Sequence, residues 1–325
     1  MFDRRKFIGT GVAAAGAMAL PFSAKAHIIK PSYKLWDAHG HFYTNDVDSY
    51  PFNSTTARYG PEIMVAKAMR FPQTPKEVFE FWDESGIAKG AGVQYSSTYR
   101  FDNSYLLDIS EVHPERIVPV VILDPHGEDT PATLERMARE NNIAGVRFTG
   151  TDREGPFPFF ADAAAPAWEA ANDLGLVVVL MPIGGDTAGA MANVALHAAR
   201  YPNANILLDH IGFPRPWNMP DSWGLTPQHL ALKDHPNVYY KYTTLLIEQL
   251  HAQNFPEKPF VEQMVETFGS DKLCWGTDVG NTPGSMFGWV QYALESASGL
   301  SLEDQENLFW NTAENLHVPG GRGSA

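Results

Sequence analysis

The sequence has little that could cross-link a fold or attract a polyanion. Cys274 is its single cysteine, so no intrachain disulfide can form and stability must come from a buried core. Lysine and arginine number 24 against 38 aspartates and glutamates, which gives a formal net charge of −14. Such a balance repels phosphate backbones and anionic lipid, so we expect no nucleic-acid partner. An anionic substrate would need locally placed cations.

The N-terminus lacks an apolar run long enough for a permanent membrane anchor. It has instead the three parts of an export signal: the twin arginines Arg4-Arg5, an uncharged Gly/Ala-rich stretch to Leu20, and the small-x-small site Ala24-Lys25-Ala26. We therefore predict a twin-arginine signal peptide over residues 1–26. The processed protein would carry no membrane anchor and would lie in the periplasm, exported in folded form by the twin-arginine translocase.

No glycine-rich dinucleotide-binding fingerprint follows the first predicted strand, which disfavours an open doubly wound sheet. Short runs that are apolar on both faces alternate with helical segments instead, a pattern typical of a parallel sheet covered on both sides. The predicted strands are Leu35–His41, Gly90–Tyr95, Ile117–Leu123, Ala144–Phe148, Leu176–Met181, Asn205–His210, Val238–Tyr242 and Lys272–Asp278. Eight such strands predict an α/β fold, a single-domain (β/α)8 TIM barrel over residues 27–325.

Ionisable side chains stand where several of these strands end. His39 and His41 end the first strand, His210 ends the sixth and Asp278 ends the eighth. In a barrel of this kind the carboxyl ends of all strands meet at one face, where active sites lie. Imidazole and carboxylate groups bind metals and transfer protons, so we predict that these four side chains form a catalytic site.

The same residues carry a resemblance to the amidohydrolase superfamily, in the amidohydrolase-related branch that includes 2-pyrone-4,6-dicarboxylate lactonase. The likeness runs from about Leu35 to Leu316. The motifs that carry it are Asp37-Ala38-His39-Gly40-His41, Leu123-Asp124-Pro125, Gly145-Val146-Arg147-Phe148, His210, Gly276-Thr277-Asp278 and Asn311-Thr312-Ala313.

Two departures from the superfamily pattern bear on metal binding. Many members have a histidine at the end of strand five and some a lysine at the end of strand four, but here these strands end in Met181-Pro182 and Phe148-Thr149. A binuclear site is therefore not expected. The resemblance to the lactonase branch favours chemistry that requires no cofactor. A single divalent metal such as zinc, held by His39, His41 and Asp278, is the alternative.

The resemblance implies a hydrolase that opens a lactone or cleaves a carboxylic ester. Asp278 would act as general base, a role that works best if burial and neighbours raise its pKa towards neutrality. His39, His41 and His210, or an ion they hold, would polarise the carbonyl. Arg147 would hold a substrate carboxylate or form an ion pair inside the barrel.

The loops after the strands should set specificity. Tyr43 and Trp217 lie in such loops, and we predict that they contact the substrate. We expect that substrate to be a ring lactone or an aromatic-derived carboxylate. Further candidates for the site are Asp124, His126, Lys241 and Tyr242. The histidines predicted to lie on the solvated surface are His113, His197, His229, His235, His251 and His317.

Two other functions fit the same pattern. A metal-dependent decarboxylase, a lyase of the same superfamily, would use Asp278 as a ligand and His210 on the water. A non-catalytic periplasmic binding protein would use the barrel without the chemistry. Metal analysis, with activity measured before and after chelation, distinguishes the decarboxylase from the hydrolase. Replacement of Asp278 distinguishes the binding protein from the hydrolase.

Overall fold

Eight parallel strands form one sheet, in a computed structural model that describes residues 28–55, 57–149, 157–183 and 186–318. Their spatial order is the order of the sequence, from β1 to β8. The strands are β1 Leu35–Gly40, β2 Ile87–Val93, β3 Ile117–Ile122, β4 Gly145–Thr149, β5 Val177–Met181, β6 Asn205–Leu208, β7 Val238–Thr243 and β8 Leu273–Gly276. The predicted (β/α)8 barrel is confirmed. The predicted signal peptide, residues 1–26, lies outside the described residues.

The last strand returns to the first, and we call this junction the seam. The Asp278 amide donates to the His39 carbonyl oxygen at 2.8 Å, and the His41 amide donates to the Val279 carbonyl oxygen at 3.1 Å. The buried Asp37 strengthens the seam, because its Oδ1 atom accepts a hydrogen bond from the Thr277 amide at 2.8 Å. Closure therefore depends on polar contacts immediately beside the predicted site.

Helices occupy the segments between strands, as a parallel barrel requires. They are α1 Pro61–Arg70, α2 Pro75–Ser85, α3 Ser96–Tyr99, α4 Ser104–Val112, α5 Thr130–Glu140, α6 Ala165–Asp173, α7 Thr187–Arg200, α8 Pro227–Ala231, α9 Thr244–Ala252, α10 Glu257–Phe268, α11 Met286–Ser296, α12 Leu302–Glu306 and α13 Thr312–His317. A π-helical turn at Asn307–Asn311 joins the last two. The Thr74-Pro75 and Thr226-Pro227 pairs each begin a helix with a capping box.

The core has two layers. A large apolar layer lies between the strands and the helices, and a smaller cluster of mainly aliphatic side chains, including Ala91, Val120 and Val179, fills the barrel interior. Above this cluster the interior becomes polar, with buried Arg147 and Lys241 side chains. Because the lower interior is apolar and packed, chemistry is confined to the end of the barrel where the strands finish. Within the described ranges, no helix has the length and apolar character needed to cross a bilayer.

Candidate active site

The four predicted catalytic side chains meet at the carboxyl end of the barrel. His39 lies near the end of β1 and His41 directly after it, while His210 follows β6 and Asp278 follows β8. All four are at most 2% exposed. The Nε2 atoms of His39 and His41 are 3.2 Å apart. Asp278 Oδ1 lies 3.6 Å from His39 Nε2 and 3.4 Å from His41 Nε2. The His210 ring centroid is 5.5 Å from that of His39.

The polar neighbours of the two strand-one imidazoles favour one tautomer of each ring. His41 Nδ1 lies 2.8 Å from the Val93 carbonyl oxygen, which only accepts, so Nδ1 carries the proton. His39 Nδ1 lies 3.3 Å from Asp209 Oδ1, at ion-pair distance, and the carboxylate at that position favours a proton on Nδ1. Burial, together with the Lys241 charge, holds the pKa of His39 well below its ordinary value and keeps the ring neutral. Both Nε2 atoms therefore present lone pairs to the site.

This protonation pattern brings three acceptor atoms together: the two Nε2 lone pairs and one carboxylate oxygen. Such an arrangement is electrostatically unfavourable unless a proton or a cation lies between the acceptors. The nearest ligand atoms of His39, His41 and Asp278 all lie within 4.8 Å of one another. Two donors bound at about 2.0–2.1 Å to a tetrahedral zinc ion are about 3.3 Å apart, close to the separations in this cluster. The donor set thus fits a single divalent cation.

Asp278 is held so that one oxygen faces the histidines. Its Oδ2 atom accepts from Asn281 Nδ2 at 2.8 Å and from Thr282 Oγ1 at 2.6 Å, which leaves Oδ1 towards the imidazoles. Burial alone would raise the pKa of Asp278, but a proton between its carboxylate and His41, together with the neighbouring imidazoles, holds the pKa below its ordinary value. Asp278 therefore lacks the raised pKa that would best suit a general base. The carboxylate is ionised at neutral pH, which suits a ligand as well as a base.

A buried charge network lies beneath the histidines and centres on Asp209, which the sequence did not reveal as a site residue. Asp209 Oδ1 lies 3.2 Å from Lys241 Nζ, and Oδ2 accepts from Arg147 Nε at 2.8 Å. Burial by itself raises the pKa of Asp209, but these two cations lower it far below its ordinary value. The carboxylate is thus charged and able to orient His39. An aspartate directly before the histidine at an apolar strand end was the available signal.

Arg147 adopts the interior ion pair, the second of its two predicted roles. Its guanidinium is 4% exposed and also contacts Met181 Sδ through Nη2 at 3.1 Å. Lys241, a further candidate, has its Nζ atom 3.4 Å from His39 Nδ1 and is fully buried. Arg147 therefore acts on His39 through Asp209, whereas Lys241 lies against both His39 and Asp209.

His210 is presented by an unusual stretch of backbone. His210, Ile211, Gly212 and Phe213 all have positive φ angles of 55–69°. A β-branched residue such as Ile211 rarely adopts this conformation, so the turn stores strain that the surrounding packing must hold. His210 Nδ1 contacts Thr243 Oγ1 at 2.5 Å, which directs the opposite edge of the ring away from β7. Burial lowers the pKa of His210 to about 4.

The two predicted specificity residues lie in different environments. Tyr43 is fully buried and its hydroxyl donates to the Gly280 carbonyl oxygen at 3.0 Å, so it supports the loop after β8. Trp217 is half-buried in the loop after β6 and packs against the core. A role for Trp217 as a substrate contact stays a prediction.

The remaining candidates are held in structural contacts. Asp124 Oδ1 accepts from the His126 amide at 3.0 Å, and the His126 ring contacts the Pro158 carbonyl oxygen, so this pair organises the loop after β3. Tyr242 donates to Ser296 Oγ on α11. None of these three contacts brings the side chain to the histidine cluster.

The expectation of surface histidines was wrong at two positions. His229 and His317 are 0% exposed. His229 Nδ1 accepts from the Thr226 amide in the capping box of α8, and His317 stacks on Trp36 at the lower end of the barrel. Both therefore serve as core residues. His113, His197 and His235 are partly exposed and His251 is exposed.

The relationships of the chain to known proteins agree with this geometry. A family model described as amidohydrolase matches residues 36–316. The L-fucono-1,5-lactonase of Burkholderia ambifaria is 26% identical over 246 residues, which cover 74% of this chain and 79% of that protein.

Solved structures share the fold over most of the chain. A candidate 2-pyrone-4,6-dicarboxylic acid hydrolase from Pseudomonas putida superposes with a TM-score of 0.68 and 21% identity, covering 87% of this chain and 97% of that one. A zinc-bound amidohydrolase from Burkholderia multivorans has a TM-score of 0.67 at 18% identity, covering 88% and 99%. A manganese-bound dihydroxybenzoic acid decarboxylase from Polaromonas sp. JS666 has a TM-score of 0.62 at 18% identity, covering 87% and 96%.

Proposed function

Because this chain belongs to the amidohydrolase family, we propose that its barrel mouth hydrolyses a lactone or a related carboxylic ester. The observation that carries the proposal is the convergence of His39, His41 and Asp278, with His210 beside them, on one point at the strand ends. The lactonase from Burkholderia ambifaria supports the choice of a lactone. An alkoxide or enolate also leaves more readily than an amine, which favours esters over amides.

The proposed reaction divides the work between the carboxylate and the imidazoles. Water adds to the carbonyl carbon while Asp278 accepts one of its protons at Oδ1, and the carbonyl electron pair moves to oxygen. The tetrahedral species then collapses, the ring C–O bond breaks, and the proton passes to the leaving oxygen. His210 would donate to the developing oxyanion from the ring edge opposite Thr243.

We further propose that His39, His41 and Asp278 hold one divalent cation. The direct polarisation expected of His39 and His41 requires N–H donors, yet their Nδ1 atoms face Asp209 and Val93, which leaves lone pairs on the Nε2 atoms of the neutral rings. A bound cation would supply a Lewis acid for the carbonyl oxygen and lower the pKa of water. The zinc and manganese in the two structural neighbours support this choice over cofactor-free chemistry.

The experiment is turnover of a panel of lactones and esters, followed as acid release at constant pH. We expect hydrolysis of at least one six-membered lactone, and a loss of at least 10³-fold in kcat/KM for Asp278→Asn. Asp271→Asn is the matched control, because Asp271 is an exposed carboxylate just before the other end of β8. Failure to hydrolyse any lactone or ester, or unchanged turnover by Asp278→Asn, would overturn the proposal.

The decarboxylase and binding-protein alternatives give different outcomes in the same preparation. A lyase would release CO2 from an aromatic carboxylate. Aromatic carboxylates are the compounds to test, because the manganese-bound structural neighbour is a dihydroxybenzoic acid decarboxylase. A binding protein would bind a panel member without consuming it. Either result, obtained without acid release from lactones, would replace the hydrolase.

We also propose export through the twin-arginine translocase, supported by Arg4-Arg5 and the small-x-small site before His27. Cell fractionation tests it. Wild-type protein should reach the periplasm as a chain starting at His27, and the double substitution of Arg4 and Arg5 by lysine should retain it in the cytoplasm. Lys25→Arg is the charge-preserving control. Equal export of the double variant would contradict the proposal.

A further inference from the structure

The outward side of α1, the helix that follows β1, carries a group of exposed apolar side chains. Tyr59, Ile63, Met69 and Phe71 are 44–59% exposed and lie within thirteen residues of one another in the sequence. The opposite side of the helix is buried through Met64. Apolar residues exposed singly are normal on a protein surface, whereas a contiguous group marks an interaction site. We call these four exposed residues, together with Glu62, Ala66 and Arg70, the α1 face.

The helical repeat makes the α1 face symmetrical about Ala66. At about 100° per residue, Glu62 and Arg70 lie about 40° to either side of Ala66 around the helix axis, and Ile63 and Met69 lie about 60° to either side. All five are exposed. The charged residue and the apolar residue before Ala66 thus each have a counterpart after it. Because Ala66 is small, a second helix can approach the centre of the face closely.

The two ends of the α1 face also match each other. The guanidinium carbon of Arg58 lies 5.2 Å from the centre of the Tyr59 ring, and that of Arg70 lies 5.0 Å from the centre of the Phe71 ring. Both distances are within the range of a cation–π contact, which holds each exposed ring beside a charge. Aromatic residues, methionine and arginine are enriched at protein–protein interfaces. The composition of the face therefore favours a protein partner.

A surface with this symmetry is complementary to itself. Antiparallel packing of two α1 helices about a two-fold axis at Ala66 brings the Glu62 end of each helix to the Arg70 end of the other. Ile63 of one copy then lies at the level of Met69 of the other. Two copies of a chain with net charge −14 repel each other overall, but Glu62 and Arg70 balance on this face. We propose that the α1 face is a dimer interface whose partner is a second copy of this chain.

The size of the α1 face sets the strength expected of the dimer. Helix α1 has ten residues and is therefore about 15 Å long. Standard interfaces bury about 800 Å² on each partner, and smaller ones belong to weak, transient complexes. One short helix with two flanking rings is at the small end of this range. We therefore expect a dimer that dissociates on dilution, with a Kd of about 1–100 μM.

Sedimentation velocity of the purified protein, over about 1–500 μM, measures this equilibrium. The wild type should shift from monomer to dimer as its concentration rises. Ile63→Glu places a carboxylate in the apolar part of the interface and should raise the Kd about tenfold or more. Leu196→Glu is the matched control, because Leu196 is 67% exposed on α7, which follows β5 on the far side of the barrel from β1. It should leave the Kd within about twofold of wild type.

Two charge variants test the antiparallel symmetry itself. Glu62→Arg alone and Arg70→Glu alone each place like charges together at both ends of the interface, so each should weaken its own dimer about tenfold. In an equimolar mixture of the two variants, a heterodimer has opposite charges at both ends. The mixture should therefore dimerise at wild-type concentrations although neither component does so by itself. Because each variant is also measured alone, a loss of folding in either is detected separately.

Three results would overturn the dimer interface. They are a wild type that stays monomeric at the highest concentration, a dimer that Ile63→Glu leaves unchanged, and a mixture of charge variants that associates no better than its components. Binding of phosphatidylcholine vesicles by a chain that stays monomeric would assign the α1 face to a lipid surface and overturn the proposal as well.

Discussion

Asp209 Oδ1 lies 3.3 Å from His39 Nδ1, where it sets the face that the imidazole turns to the site. The same carboxylate balances two buried cations, Lys241 and Arg147. Asp209 therefore both orients the His39 ring and neutralises buried positive charge. Substitutions here should affect both stability and catalysis.

Asp209→Asn should reveal both roles. Loss of the charge leaves Lys241 and Arg147 buried without a counter-ion, which costs about 3–5 kcal/mol for a broken buried pair. It also frees His39, and loss of an orienting carboxylate typically lowers metal affinity or activity by about 10–100-fold. Urea denaturation and kcat/KM measure the two effects. Asp271→Asn, a substitution of the same type at an exposed site, should change neither; a fully stable and active Asp209→Asn would contradict the assignment.

Thr243→Val should impair His210 without unfolding the barrel. The substitution keeps the shape of the side chain but removes the Oγ1 atom that contacts His210 Nδ1. We expect kcat/KM to fall about tenfold, with most of the loss in kcat, because the ring is no longer fixed for donation to the transition state. Thr243→Ser restores the hydroxyl and should recover most of the activity. A serine variant as impaired as the valine variant would indicate a packing role alone.

One divalent metal ion per chain should bind the strand-one pair with Asp278. Metal analysis of chelated protein retitrated with zinc should show a single site, accompanied by a rise in melting temperature because only the folded state binds the ion. His41→Gln should abolish that rise, since it removes one of the three donors. His251→Gln, at an exposed histidine on α9, is the control. Full lactone hydrolysis by protein shown to be metal-free would refute the metal proposal.

The stability of the protein should fall in mild acid through His229. Burial lowers the pKa of this side chain to about 4, below its ordinary value of 6.5. The folded state therefore disfavours protonation, so the stabilisation is present above pH 6.5 and declines as the pH falls towards 4. For His229 alone the decline between pH 7 and pH 5 is about 2 kcal/mol.

The measurement that checks this is the free energy of unfolding of wild type and of His229→Gln between about pH 7 and pH 5. Glutamine does not titrate, so the advantage of the wild type over the variant should shrink by roughly that 2 kcal/mol at the acid end. His235→Gln, at a partly exposed position nearby, should follow the wild-type curve. A difference that is constant with pH would mean that His229 does not titrate as described.

The barrel and its four central side chains could be predicted from the sequence because both depend on local signals. Strands buried on both faces are almost uninterrupted apolar runs, and histidine or aspartate at their ends stands out against that background. The helix α9 lacks such a local signal in the sequence. It begins at Thr244, directly after β7 ends at Thr243, with no turn residue between them.

Other features depend on contacts between distant segments, which the sequence of one chain does not show. Asp209 becomes a site residue only because Arg147 and Lys241 arrive from two other strands. The lowered pKa of Asp278 depends on imidazoles from β1, and the burial of His317 depends on Trp36. These relationships are set by packing and electrostatics in the closed barrel.

The seam determines the stage of synthesis at which the active site can form. The hydrogen bond from Thr277 to Asp37 joins residues 240 positions apart. The proposed metal ligands beside it, His39, His41 and Asp278, lie at the ends of the first and last strands. Nearly the whole chain must therefore be synthesised before these three ligands can come together. Loading with the proposed ion would therefore follow synthesis of β8, and a prematurely terminated product that lacks β8 would be inert.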